Sequence, residues 1–160
     1  MIREILLLGN PALYERSMQV TREERHLLPQ IEQDLHDTLM EYRRTHNAGR
    51  AIAAPQIGIK KRIIYVYITE PILIINPSML FHNPVQIEVF DDCMSFPNLR
   101  VAVSRYKYCR LNYTDRTWHD ASINAADDLA ELLQHEYDHL DGILATMRAK
   151  DAKSFYYKPL

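Results

Sequence analysis

Leu27, Ile31, Leu35, Leu39 and Tyr42 recur at steps of three and four residues with polar side chains between them, which predicts an amphipathic helix over residues 21–44. Thr21 with Glu24 three residues on fits a capping box at its start, and Pro29 demands either a kink or a start slightly further along. Residues 46–58 carry no clear period and are rich in Ala and Gly, so they read as a loop held close to something. The pattern then shortens. Segments 62–68, 72–75, 85–90, 101–103, 106–113 and 122–124 are β-rich and separated by Pro, Asn or Asp, the marks of an antiparallel sheet. From residue 125 to about 140 the helical period returns, with Asn124 as expected N-cap, Asp127 and Asp128 in the first turn and Gly142 as the stop. Helix, strands and helix in that order predict an α+β fold whose last helix packs on the sheet.

Composition narrows the class without changing this picture. At 160 residues, 47% hydrophobic, the chain suits one domain spanning residues 1–160. A formal charge of -2 gives no reason to expect a DNA surface. The early apolar run, Ile5 to Leu8, is too short for a signal peptide or membrane span, so a cytoplasmic protein is expected. Two cysteines, Cys93 and Cys109, are too few for a disulfide framework and leave a thiolate available for metal.

The last helix carries the chemistry. His135 and His139, four residues apart in an H-E-x-x-H segment, share one helical face and can meet one cation, while Glu136 can serve as a base. Chance placement would give only about 0.02 such segments in a chain of this composition. A third ligand is needed. Where the longer H-E-x-x-H-x-x-G-x-x-H pattern has its last histidine, this chain has Ala145, and no glutamate follows Glu136, so the ligand is expected upstream. Cys109 reads as a buried strand cysteine, whereas Cys93 sits in a turn before Pro97 and is favoured, though both remain candidates. One thiolate and two imidazoles suit zinc or ferrous iron.

Three segments, Gly49-Arg50-Ala51-Ile52-Ala53-Ala54-Pro55-Gln56, Asp91-Asp92-Cys93-Met94-Ser95 and Gln134-His135-Glu136-Tyr137-Asp138-His139-Leu140, together resemble the peptide deformylase family. Those metal hydrolases remove the formyl group from the N-terminal methionine of nascent chains. The resemblance implies antiparallel β-sheets packed around a C-terminal helix carrying H-E-x-x-H, with a long N-terminal helix. It implies Cys93, His135 and His139 as ligands of one divalent ion, Fe2+ first and Zn2+ or Ni2+ as alternatives. It also implies Glu136 as general acid and base, and the Gln56 amide and Met94 backbone N–H as donors to the oxyanion. The implied partner is a formylated peptide N-terminus, in a monomer or weak dimer.

The chain departs from the family pattern at several positions. Asp91 stands for Glu, Asp92 and Ala51 for Gly, and Met94 for Leu. Asp91 is expected to pair with Arg100, and a positive φ at Asp92 would cost about 1 kcal/mol. Gly49, Arg50, Ala51, Asp92, Asp128, Glu131 and Leu132 are the candidate substrate-binding residues. Among them Arg50 stands where the family is usually apolar, and Asp128 and Glu131 share the His135 face of the helix. These charges mean either a solvated helix start or an altered substrate preference, since methionine would have to desolvate them. Arg148, Lys150, Lys153 and Lys158 make the tail basic and offer a contact to ribosomal RNA, against a plain solvated terminus; Phe155-Tyr156-Tyr157 is expected to dock on the body.

Overall fold

The structure, a computed structural model, describes residues 1–157. The first long helix, α1, runs Leu28–His46 and is preceded by a 3-10 segment, Glu23–Leu27. Pro29 sets this boundary. Its ring has no N–H to donate and fits only the first turn, so the α-helix starts one residue before it rather than kinking around it. Half of the expected capping box survives, because the Thr21 backbone N–H donates to the Glu24 carboxylate at 2.8 Å.

Residues 46–58 are more ordered than the loop expected from their composition. They contain strand β1, Ala51–Ala53, and a 3-10 turn, Ala54–Ile57. Three residues are too few for a readable alternation; β1 exists because β2, Ile63–Tyr67, offers its edge, with Ile52 opposite Tyr65. Strands β3, Pro71–Leu80, β6, Tyr108–Thr114, and β7, Asp120–Ala126, complete a five-stranded sheet of order β1-β2-β3-β6-β7. A second sheet has the order β4-β5-β8, from Gln86–Asp92, Leu99–Tyr106 and Phe155–Tyr157. All strand pairings within both sheets are antiparallel.

The single strand expected over 106–113 is therefore two. Tyr106 ends β5 in one sheet, Lys107 crosses, and Tyr108 begins β6 in the other. Leaving a ladder strands backbone groups, and Gln134 answers them: its side chain accepts from the Tyr106 N–H at 2.9 Å and donates to the Tyr106 carbonyl at 2.8 Å. Gln134 lies on α2, Asp127–Leu140, so the crossing point is tied to the second helix. That helix begins later than expected. Ala126 is its N-cap, with no side-chain cap, and Asp127 at φ +51 turns the chain out of β7 in place of an Asn124 cap.

The near-continuous apolar run of β2 follows from its position. Ile63 and Tyr65 pack with Leu35 and Leu39 of α1, while Ile64 and Val66 pack with Ala130, Leu133 and Leu140 of α2. The five-stranded sheet is covered by helices on both faces. A third cluster, including Leu13, Cys93, Phe96, Val101, Val103 and Leu144, fills the space beside the smaller sheet. Burial of each large aliphatic side chain contributes about 1.5–3 kcal/mol, well above the few tenths that separate helix propensities, so packing fixes both helices in place. Among the described residues, no helix is long and apolar enough to cross a membrane.

Gly142 ends α2 at φ +71, where an added Cβ would lie 2.4 Å from the Tyr14 carbonyl oxygen. Gly142→Ala is expected to cost about 2 kcal/mol or more, combining left-handed strain with a backbone clash, as read from urea unfolding.

Candidate metal centre

Cys93 follows the end of β4, in a turn closed by the Phe96 N–H donating to the Cys93 carbonyl at 3.1 Å. Its sulfur accepts from the Ser95 backbone N–H and from the Gln56 side-chain amide, each at 3.4 Å. From α2, His139 brings its Nε2 within 3.3 Å of that sulfur and 3.2 Å of the His135 Nε2. The three ligand atoms all lie within 4.8 Å of one another, and all three residues are buried. Donors held about 2.0–2.3 Å from one tetrahedral ion stand about 3.3–3.7 Å apart, so this set fits a divalent metal. Cys109 does not take part. It is packed with Leu111, Ala125 and Ala130, and burial pushes its thiol up to about 11.

His135 is aimed from behind. Its Nδ1 lies 2.9 Å from Asp91 Oδ1, close but not aligned as a hydrogen bond. Burial opposes ionisation of Asp91, yet His135 and then Arg105 outweigh it and hold the carboxyl well below its usual range. Asp91 does not pair with Arg100 as expected. Register places Val101 opposite Asp91 and Arg100 opposite Asp92, while Arg105 reaches Asp91 at 2.5 Å. Arg105 also reaches Asp138 on α2 at 2.5 Å, and Arg148 clamps the same carboxylate at 2.6 and 2.7 Å. A lysine could not replace this planar guanidinium, which spans two carboxylates on different elements.

Glu136 is almost fully buried, and among the described residues its Oε2 has no hydrogen-bond partner. Burial raises its carboxyl to about 7. Gln56 is oriented at both ends: its Oε1 accepts from the Ala53 N–H at 2.9 Å, and its amide also donates to Ser95 Oγ at 3.3 Å. The N-terminal segment joins the two motifs, since Leu6 N–H donates to the Gln56 carbonyl and Leu8 N–H to the Ser95 carbonyl, both at 2.8 Å.

A cavity of about 80 Å³ opens beside His135 and Glu136, walled by Gly49, Arg50, Ala51, Asp92, Met94, Glu131 and Leu132 among others. It lies between β1 and β4, each at an outer edge of its sheet. Asp92 carries no positive φ and sits in β4 as an ordinary extended residue, so the strain expected from its replacing glycine is absent; Ala51 is likewise in a strand. The positive φ falls at Gly49, +113. Asp128 is 77% exposed at the rim, paired with Arg50, and Glu131 is 14% exposed in the wall. Burial and the adjoining Asp91 carboxyl raise Glu131 to about 8, against the opposing pull of His135 and then of Arg50.

The tail is partly engaged. Arg148 binds Asp138 and Lys150 binds Glu88, while Phe155–Tyr157 docks as β8 on β5. Lys158 lies outside the described residues. Sequence reasoning missed Ser95, Asp138 and the bridging use of Gln134. All three lie inside the quoted motifs, but only their partners in space reveal what they do.

The sequence profile of the polypeptide deformylase family matches residues 2–155. A peptide deformylase of Heliobacterium modesticaldum is 34% identical, over 94% of this chain and 95% of its own. The crystal structure of a peptide deformylase from Legionella pneumophila superposes with a TM-score of 0.86 at 30% identity, covering 96% of this chain and 89% of that one. A class I type b peptide deformylase from Acinetobacter baumannii, solved with Met-Ala-Ser bound, gives 0.83 at 26% identity, over 92% and 98%.

Arg105→Ala would leave the buried Asp91 carboxylate without its guanidinium, while Asp138 keeps Arg148, and is expected to cost about 3–5 kcal/mol in urea unfolding. Arg100→Ala, at an exposed position, is expected to cost less than about 1 kcal/mol. Metal analysis of purified protein should find stoichiometric metal lost in Cys93→Ser and kept in Cys109→Ser; the reverse would reassign the third ligand.

Proposed function

The chain belongs to the peptide deformylase family, and on that premise we propose that its cleft hydrolyses the formyl amide at the N-terminus of a nascent peptide, releasing formate and a free amine. Members of the family are metal-dependent enzymes. The observation that carries the reading is the convergence of Cys93, His135 and His139 beside a buried Glu136 with an unpartnered oxygen. Cys93, His135 and His139 would hold the ion, which we take to be ferrous iron, with zinc and nickel compatible with the same donors. Such an ion supplies Lewis acidity toward the formyl oxygen and toward water.

The remaining steps belong to the chain's own residues. The peptide lies along the outer edge of β1, beside Gly49, Arg50 and Ala51, as an added extended strand; the Gly49 and Arg50 carbonyls are themselves already bonded to Arg43 and the Tyr67 N–H. Glu136 takes a proton from the attacking water and carries it to the amide nitrogen as the C–N bond breaks. The oxyanion formed between these events receives hydrogen bonds from the Gln56 amide and the Met94 backbone N–H. Both donors are on rigid supports, because Gln56 is fixed at its carbonyl end and Met94 adjoins the Cys93 turn. We further propose that the chain acts as one catalytic domain, cytoplasmic, as a monomer or weak dimer. Among the described residues, a ribosomal contact through the tail would rest on Lys153, since Arg148 and Lys150 are engaged in ion pairs.

Anaerobically purified, iron- or nickel-loaded protein is expected to release formate from formyl peptides and to leave acetylated ones intact. Glu136→Gln should abolish release with metal retained, and Gln56→Ala should lower kcat by about 100-fold or more. Failure on every formyl peptide with metal fully bound would sink the reading.

A further inference from the structure

Each of the two sheets has two edges. β1 and β4 border the cleft, and β8 is only three residues long. The remaining edge, β7, runs for seven residues, and among the described residues nothing pairs with its outer side. An open row of backbone N–H and C=O groups recruits another strand unless Pro, Lys or a bulge blunts it. β7 reads Asp-Ala-Ser-Ile-Asn-Ala-Ala, with neither Pro nor a basic residue, and its register with β6 is unbroken from Asp120 to Ala126. The edge is also held rigid. The Asp115 carboxylate closes the turn before it, accepting from the Thr117 and His119 N–H groups at 2.8 and 3.0 Å, and Arg116 ties that turn to Glu32 of α1 at 2.5 Å.

We propose that β7 is a self-association edge, on which a second copy of this chain adds its own β7 antiparallel and joins the two five-stranded sheets into one about a two-fold axis. With the axis at Ile123, the middle residue, every position of the strand finds a partner: Ile123 meets its own equivalent, Ser122 the partner's Asn124, Ala121 the partner's Ala125 and Asp120 the partner's Ala126. No like charges oppose each other, since the one charged residue of the strand lies opposite an alanine. Alternation puts Ala121, Ile123 and Ala125 on the face that α2 covers, where Ile123 and Ala125 pack in one cluster with Leu111 and Leu133. A two-fold axis normal to the sheet keeps that face in common, so the partly buried Ile123 gains an apolar neighbour in its equivalent. A foreign strand would need this same alternation and length; the chain carries both in itself, and a formal charge of -2 sets little repulsion between copies. A strand of this length spans about 24 Å, and one strand pair falls short of the ~800 Å² per partner of a standard interface. The dimer is therefore weak, with a dissociation constant of about 0.1–1 mM.

Sedimentation equilibrium of the metal-loaded full chain, from about 5 µM to about 1 mM, tests this without substrate, so the outcome is independent of the reaction assigned to the cleft. The weight-average mass of the wild type is expected to climb from near 18.8 kDa to at least about 1.5 times that value. Ser122→Asp combined with Asn124→Asp sets carboxylates against each other at both pairs and should hold the mass at 18.8 kDa throughout. Ser122→Lys combined with Asn124→Asp sets opposite charges there and should restore at least the wild-type rise. Both side chains are exposed, so neither combination touches the core. A wild type that stays at 18.8 kDa overturns the inference and leaves the edge bare or open to a strand of another protein. Association of the first variant as strong as that of the wild type, or a second variant that stays monomeric, overturns it as well. If one variant does not fold, the wild type and the other decide.

Discussion

Arg105 is the joint on which the site depends. It leaves β5 with almost no exposed surface, grips Asp91 at the end of β4 and Asp138 on α2, and thereby locks the sheet that leads into Cys93 to the helix that carries both histidines. Asp91 in turn stands behind His135. Buried ion pairs add little net stability, because desolvating the charges offsets most of their attraction. What this one supplies is registry: a shift of β4 relative to α2 would separate Arg105 from Asp91 while Asp138 kept Arg148, so the Cys93 sulfur and the two imidazoles are held at one separation.

The second constraint is the seam between two sheets. Because the chain leaves one ladder at Tyr106 and enters another at Tyr108, two sheets rather than one meet α2, and each presents an unpaired edge to the cleft. Gln134 makes the crossing affordable by bonding the Tyr106 backbone, and it does so from the position immediately before His135. The residue that stabilises the fold's break and the residue that faces the metal site are neighbours on one helix. The segment around Leu6 and Leu8 closes the other side, bonding Gln56 and Ser95 and so holding the amide donor against the cysteine turn.

Within this frame the cleft has a buried end at Glu136 and a charged, partly exposed end at Arg50 and Asp128. Glu136 is isolated from partners and its carboxyl is raised by burial, whereas Arg50, Asp128 and Glu131 engage one another across the opening. The two groups sit on successive turns of α2, with His135 and Glu136 on one and Glu131 on the turn before.

Much of this was legible in the sequence because it is local. The four-residue step from His135 to His139 follows from helical pitch, the apolar steps of α1 from its buried face, and the late start of that helix from the missing N–H of Pro29. Cys93 was separable from Cys109 because one lies in a turn and the other on a strand. What sequence could not supply is pairing between distant segments. Asp91 turned to Arg105 rather than Arg100 because strand register, set by many backbone bonds at once, decides which cation is within reach. Three-residue β1 exists only because β2 offers it an edge, and the break at Lys107 only because two sheets compete for one stretch of chain. Residue types and their local spacing determined the chemistry available; the long-range packing of α2 between two sheets decided which groups meet to perform it.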